Sequence, residues 1–414
     1  MATVILVGTL DSKGSEYGFL RDQIKRAGCA TILVNAGVLA DPEYNVDYGR
    51  ADVAAAAGEE IEDLAAAGDR GRAVAVQAEG AAEILSRLHR EGWVDGVIGL
   101  GGSGGTSLVS KAMRRLPLGV PKLLVSTLAS GDTSEYVDTS DIVMMPSIVD
   151  IAGINALSAQ ILSNAAGAIA GMARSYEGRY DDGDLRPLIG ATQYGTTTPC
   201  VDAGRDYLEK AGYGVLVFHA TGPGGRSMES LMASGHIVGV LDITTTELID
   251  EVAGGTTTAG PERLDMAGSL GLPQVVSVGA SDQITFRPPS AMPERFSDRV
   301  VYRHNPNITL ARSSPEEMRE YGRLFCEKMN RAKGPVSVFV PLRGFSEYGA
   351  AGGVFHDPES DQALIETLRT GLGEGVELVE MDCEINAPEF ATAMAQRLIE
   401  FMSVPTDGGE EPAG

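Results

Sequence analysis

The chain is poor in positive charge. Its 33 lysines and arginines stand against 57 aspartates and glutamates, a formal net charge of −24, and such a field repels phosphate backbones. No basic stripe with interleaved aromatics interrupts the acidic excess, so no nucleic-acid partner is expected. Cysteine is scarce and scattered. Cys29, Cys200, Cys326 and Cys383 form no C-x-x-C pair, which argues against a zinc site or a disulfide framework. His89, His236 and His356 show no ligand spacing, and nothing like H-E-x-x-H occurs. Long apolar runs are missing too, none reaching the ~18 residues that a membrane span needs. The start, Met1-Ala-Thr-Val-Ile-Leu-Val7, lacks a basic n-region and passes straight into a strand-like run, unlike a signal peptide. A cytoplasmic setting away from membranes is the expectation.

Glycine, by contrast, is abundant: 52 of 414 residues, beside 43% apolar and 22% charged. That mixture suits a soluble α/β fold with glycine-lined loops, and the length predicts two domains of ~100–200 residues each. Strand-like runs at Thr3–Val7, Ala30–Val34, Trp93–Leu100, Pro121–Thr127 and Asp141–Pro146 alternate with helical patterns. Such alternation argues for a parallel sheet covered on both faces. Glu177–Pro187 is polar and aperiodic, a linker after which the alternation restarts. The expected architecture is therefore α/β: two Rossmann-like layered domains with mainly parallel sheets, residues 1–180 and 187–402, then a frayed tail over 403–414. Ile154–Tyr176 is apolar on most faces and predicts a buried helix, through plain interior packing or at a contact between domains or between the subunits of a homo-oligomer. Ser281–Asn307, with four prolines, reads as a long irregular loop over a site or an interface.

The chemistry concentrates at strand ends. Val97-Ile-Gly-Leu-Gly-Gly-Ser-Gly-Gly-Thr106 is an apolar run feeding a loop of Gly101, Gly102, Ser103, Gly104, Gly105 and Thr106, with a helix expected over Ser107–Arg115. Glycines let backbone amides approach an anion, and the next helix adds unpaired donors and a partial positive charge. Gly99-x-Gly101-x-x-Gly104 fits a dinucleotide fingerprint, but such a site also wants an acid at the end of the following strand. That strand ends in Ser126 and Thr127, so NAD ranks below a mononucleotide. A Walker A loop is absent. The first strand closes on Gly8-Thr-Leu-Asp-Ser-Lys-Gly14, where Gly8, Thr9, Ser12 and Lys13 suit phosphate and Asp11 suits a magnesium ion; a helix cap at Asp11 or Ser12 explains the same letters.

Several motifs in one order carry a resemblance. Gly8-Thr-x-Asp-Ser-Lys-Gly14, Gly101-Gly-Ser-Gly-Gly-Thr106, Met145-Pro-Ser-Ile-Val-Asp150, Gly190-Ala-Thr-x-Tyr-Gly-Thr-Thr-Thr-Pro199, His219-Ala-Thr-Gly-Pro-Gly-Gly225, Leu241-Asp-Ile-Thr-Thr-Thr-Glu247 and Pro341-Leu-Arg-Gly-Phe-Ser346 resemble the plant tobamovirus-resistance ATP-binding domain family and its uncharacterised bacterial relatives, UPF0261. The likeness runs to about Met402. It implies two Rossmann-like domains with ATP and magnesium in the amino-terminal one, and no reaction. Ser12 stands where Thr is common in that family. Plant members resemble this chain followed by a barrel-like domain.

The second half offers strand-end groups for a second, small-molecule ligand across an interdomain cleft: Thr221, Gly222, Gly224, Gly225, Asp242 and Ser346, with His219 as general base and Arg343 as clamp. Caps and turns explain Asp242 equally well. The reading is an ATP-binding protein that activates or phosphorylates a small metabolite, as a ligase or phosphotransferase. A non-catalytic nucleotide-regulated binding protein is the alternative, and an NAD-dependent enzyme ranks third.

Overall fold

A computed structural model describes residues 1–177 and 186–403. The chain divides into two compact units, Met1–Gly183 and Asp184–Gly414. The division, most of the expected linker and all but one residue of the expected frayed tail lie outside the described residues.

The first unit alternates as its sequence suggests: β1 (Thr3–Gly8), α1 (Leu10–Arg26), β2 (Ala30–Asn35), α2 (Arg50–Ala56), α3 (Ile61–Ala67), α4 (Arg70–Arg90), β3 (Gly96–Gly101), α5 (Ser103–Met113), β4 (Lys122–Ser126), α6 (Ser134–Val137), β5 (Val143–Pro146) and α7 (Ala156–Glu177). Its parallel sheet has the order β2-β1-β3-β4-β5. Side chains alternate across the pleat. Ile5, Val7 and Val97 pack with Leu85 and Val109 on one face; Val4, Leu6 and Ile98 pack with Leu20 and Ile169 on the other. Helix α7 is long and apolar enough to cross a membrane, with mean hydropathy 1.2. It is buried along one stripe only, at Leu162, Ala165, Ala166, Ile169 and Ala173, a spacing that covers a sheet. The expectation of burial on most faces is corrected accordingly.

Strand order reverses between β1 and β3, and the strands part there. They pair only from Val4↔Gly96 to Leu6↔Ile98. Beyond that point Tyr17 fills the ladder. Its hydroxyl donates to the Val7 carbonyl at 2.7 Å and accepts from the Leu100 amide at 2.9 Å, and burial pushes its phenol above the ordinary range. Gly8 is required beside it, since a Cβ there would stand 1.8 Å from the Tyr17 hydroxyl. Tyr17→Phe is expected to leave the buried Leu100 amide unpaired and to lower stability by about 1–3 kcal/mol, read as an earlier urea midpoint.

The second unit contains β6 (Leu188–Gln193), α8 (Thr198–Lys210), β7 (Gly214–His219), α9 (Pro223–Ala233), β8 (Ile237–Thr244), α10 (Thr246–Ala253), α11 (Met266–Leu270), β9 (Gln274–Gly279), β10 (Gln283–Phe286), β11 (Val301–Asn305), β12 (Ile308–Arg312), α12 (Pro315–Asn330), β13 (Val336–Pro341), α13 (Pro358–Gly371), β14 (Glu377–Met381) and α14 (Pro388–Ser403). Its parallel sheet runs β14-β13-β9-β8-β6-β7. Read from β7, this is the order of the first unit with one strand added. The expected irregular loop at Ser281–Asn307 is corrected: β10, β12 and β11 form a small antiparallel sheet. The prolines at 288, 289 and 293 only separate its first two strands, and strands this short leave too little alternation to read.

Candidate functional site

In open α/β sheets, ligands lie beyond the carboxyl ends of the strands where the order reverses. In the first unit that place is a cavity of about 590 Å³, within the ~300–1,000 Å³ of small-molecule sites. One side is polar. Gly101 closes β3, Gly102 is extended, and α5 already begins at Ser103. The expected start at Ser107 is corrected, because Ser103, Gly104 and Gly105 form the first turn and aim their amides outward. A Cβ on Gly101 would stand 2.7 Å from the Gly105 Cα, so strand and helix meet in backbone contact. A Cβ on Gly104 would meet only the Arg70 guanidinium, at 3.5 Å.

Thr9, Asp11, Ser12 and Lys13 also line this cavity. The Lys13 backbone is non-helical, with φ −128° and ψ 25°, and separates the first turn of α1 from the rest. Its ammonium donates to the Ile151 carbonyl. Ser12 donates to the Thr9 carbonyl and hydroxyl. Asp11 is partly committed: Oδ2 accepts from the amides of Val38 and Leu39 at 2.9 and 3.0 Å. Asp69 and Asp150 also line the cavity. Among the described residues no group of three or more His, Cys, Asp or Glu could hold a metal by itself. Magnesium shared with phosphates needs only one or two carboxylates, and Asp11 supplies one.

The rest of the lining is largely apolar, with Val38, Leu39, Leu64, Ala73, Val74 and Leu108. Buried Asn35 shapes it by accepting from the amides of Leu10 and Gly37 at 3.1 and 3.0 Å. Gln77 donates to the Gly37 carbonyl at 2.7 Å. Asp69 caps α4 by accepting from the Arg72 amide at 3.0 Å. Arg70 then lies on the cavity wall with no hydrogen bond or ion pair among the described residues. Sequence reasoning missed Arg70 and this apolar wall. Their only signal is an alanine-rich stretch with a capping Asp.

Two expected phosphate contacts are corrected. Thr106 and Ser126 are buried and share a 2.6 Å hydrogen bond, which ties α5 to β4 and spends both hydroxyls internally. Thr127 lies at a second cavity beside the first.

The second unit has the same reversal, between β6 and β8, and fills it from within. The loop Thr221–Gly225 offers amides as expected, but the Glu247 carboxylate takes those of Gly222 and Gly225 at 2.7 and 3.0 Å. Glu247 and Asp242 are held by Arg263, which is wholly buried: Nε to Glu247 at 2.7 Å, and both terminal nitrogens to Asp242 at 2.6 and 2.8 Å. Burial alone would lower the Arg263 pKa; Asp242 and Glu247 raise it well above its ordinary value. Asp242 also accepts from Thr192, and buried Ser346 donates to Asp282 at 2.6 Å. Thr221 donates only to the His219 carbonyl, and a Cβ on Gly224 would stand 1.9 Å from that same carbonyl oxygen. Asp242, Ser346 and this loop thus serve the fold, correcting their placement around a ligand. His219 is exposed at the end of β7, whereas Arg343 follows β13 and pairs with Asp382 on the surface. Three strands lie between, so four steps of about 4.8 Å put them roughly 19 Å apart. They do not hold one small molecule together, which corrects their pairing as base and clamp.

Fold and site define a two-unit, Rossmann-like α/β protein with an open reversal-point cavity in its first unit. The N-terminal domain model of the Uncharacterised protein family (UPF0261) matches residues 2–178 and the C-terminal domain model matches 186–402; the chain belongs to this family. A UPF0261 protein of Clostridium tetani is 49% identical over 400 residues, covering 96% of this chain and 98% of the relative. The ToMV resistance protein Tm-1 of Solanum lycopersicum is 43% identical over 339 residues, 80% of this chain but 45% of that protein. A UDP-N-acetylglucosamine 2-epimerase from Rickettsia bellii aligns over 97% of this chain and 96% of its own at 11% identity, with a TM-score of 0.23, too low to carry an argument.

Proposed function

We propose that the first unit binds ATP with magnesium, and that the protein uses it to activate or phosphorylate a small metabolite. One observation carries this reading. The wall of the reversal-point cavity combines the first-turn amides of α5, Lys13 and Arg70 with the apolar side chains of Val38, Leu39, Leu64, Ala73, Val74 and Leu108. Phosphates suit the polar groups, through the helix terminus and two cations; a base suits the apolar ones. Asp11 would hold the magnesium ion, which supplies charge neutralisation on the phosphates. The family resemblance supports the same ligand. The β4 end carries no carboxylate for a ribose, as NAD recognition requires.

Calorimetry on the full chain tests this. ATP with magnesium is expected to bind once per chain, and NAD at least about tenfold more weakly, a difference of ~1.4 kcal/mol. Equal or tighter NAD binding would overturn the assignment.

A further inference from the structure

A second cavity, about 380 Å³, opens beyond the carboxyl ends of β4 and β5. Its wall carries Thr127, Ser130, Pro146, Ile148, Val149 and Asp150, and no Lys, Arg or His. It adjoins the first cavity. Asp150 lines both, and the Thr127 hydroxyl stands 3.8 Å from the position of a Cβ on Gly102, the residue that precedes α5. The two cavities meet beside the N-terminus of α5.

Hydroxyls here divide into spent and unspent. Ser126 pairs with Thr106, and Ser147 donates to the Val149 carbonyl at 2.7 Å. Thr127 and Ser130 have no side-chain hydrogen bond among the described residues. Ile148 is held at φ +65° and is 75% exposed at the rim. A β-branched residue in the left-handed region is strained, and such strain gathers at ligand clamps.

We propose that this cavity is the acceptor subsite of the ATP-binding unit, and that it takes a small neutral polyhydroxylated molecule, a sugar or polyol. The inference rests on the nucleotide reading above and moves the second ligand from the second unit to the first. The chemistry of the wall selects the class. With no cation lining it, and a carboxylate at its inner end, the cavity disfavours carboxylate and phosphate acceptors; Thr127, Ser130 and Asp150 can exchange hydrogen bonds with hydroxyls. In the reaction the acceptor oxygen forms a bond to the γ-phosphorus. The bond from that phosphorus to the β,γ-bridging oxygen breaks, and ADP leaves with the electron pair. The hydroxyl proton passes to the Asp150 carboxylate and then to water. Positioning and charge supply most of such a step, and the base supplies the remainder.

The test uses the full chain with ATP and magnesium. ATP affinity is measured first by calorimetry. Glycerol, glucose and myo-inositol are then offered as neutral acceptors, and glycerate and glycerol 3-phosphate as anionic ones, with products followed by phosphorus NMR. The expected result is ADP and a phosphate monoester from a neutral polyol and none from the anions. Asp150→Asn should lower kcat by at least about 100-fold. Ser130→Tyr, which narrows only the second cavity, should raise the polyol KM at least about tenfold while ATP affinity stays within twofold. ATP binding without polyol phosphorylation, a preference for the anions, or unchanged kcat in Asp150→Asn overturns the acceptor assignment and leaves the nucleotide reading standing. No ATP binding at all overturns both.

Discussion

Arg263→Ala is expected to destabilise the protein by about 3–5 kcal/mol, the cost of leaving buried charges without their partner. The arginine is wholly buried and joins Asp242 and Glu247 through three hydrogen bonds, with Glu229 a further 3.5 Å away. Removing it strands carboxylates against β8 and α10 and loosens the amides that Glu247 accepts at Gly222 and Gly225. Against a typical total of roughly 5–15 kcal/mol, that loss is large. Arg263→Lys should recover little, because one ammonium cannot reproduce a planar fork that grips Asp242 with two nitrogens. Urea denaturation followed by circular dichroism checks both variants. A midpoint within error of wild type for Arg263→Ala would show that the network is dispensable.

Gly104→Glu is expected to do the reverse, abolishing function without harming the fold. A side chain at 104 enters the cavity rather than the core, and an acid in the first turn suits the helix dipole. Stability should hold or rise slightly. The new carboxylate, however, stands beside the first-turn amides of α5 and the Arg70 guanidinium, where the proposed phosphates would bind. Two like charges about 4 Å apart repel by ~4 kcal/mol near a protein surface, so ATP affinity should fall by at least about 100-fold. Gly104→Ala, which adds only a methyl group at ordinary contact distance, should cost little. Equal affinities for Gly104→Glu and wild type, by calorimetry, would place the phosphates elsewhere.

Much of the fold was legible because parallel strands are apolar on both faces and helices between them keep their period. Thr3–Val7 and Trp93–Leu100 differ from the observed β1 and β3 by a few residues at their ends. The loops at Thr9–Lys13 and Gly101–Gly105 were legible as anion-friendly letters, and they do share one cavity. Letters fail where the partner is remote. Thr221–Gly225 looks as open as Gly101–Gly105, yet Glu247, 22 residues beyond Gly225, supplies the anion from inside. Asp242 looked like a strand-end ligand and is one claw of a buried ion network. Nothing in the letters around Tyr17 marks its hydroxyl as the group that fills the parting of β1 from β3. Arg70 lay in an acidic, alanine-rich stretch that says nothing of phosphate. Each miss turns on strand order or on a side chain far along the chain, neither of which local periodicity encodes.

The claim that the open reversal-point cavity of the first unit holds the nucleotide is tested most directly by photolabelling with 8-azido-ATP and magnesium. The reactive group sits on the base, so the expected adduct lies on peptides spanning Leu64–Val74, the apolar wall, and unlabelled ATP should compete it away. An adduct confined to the second unit, at Thr221–Gly225 or beyond, would contradict the account.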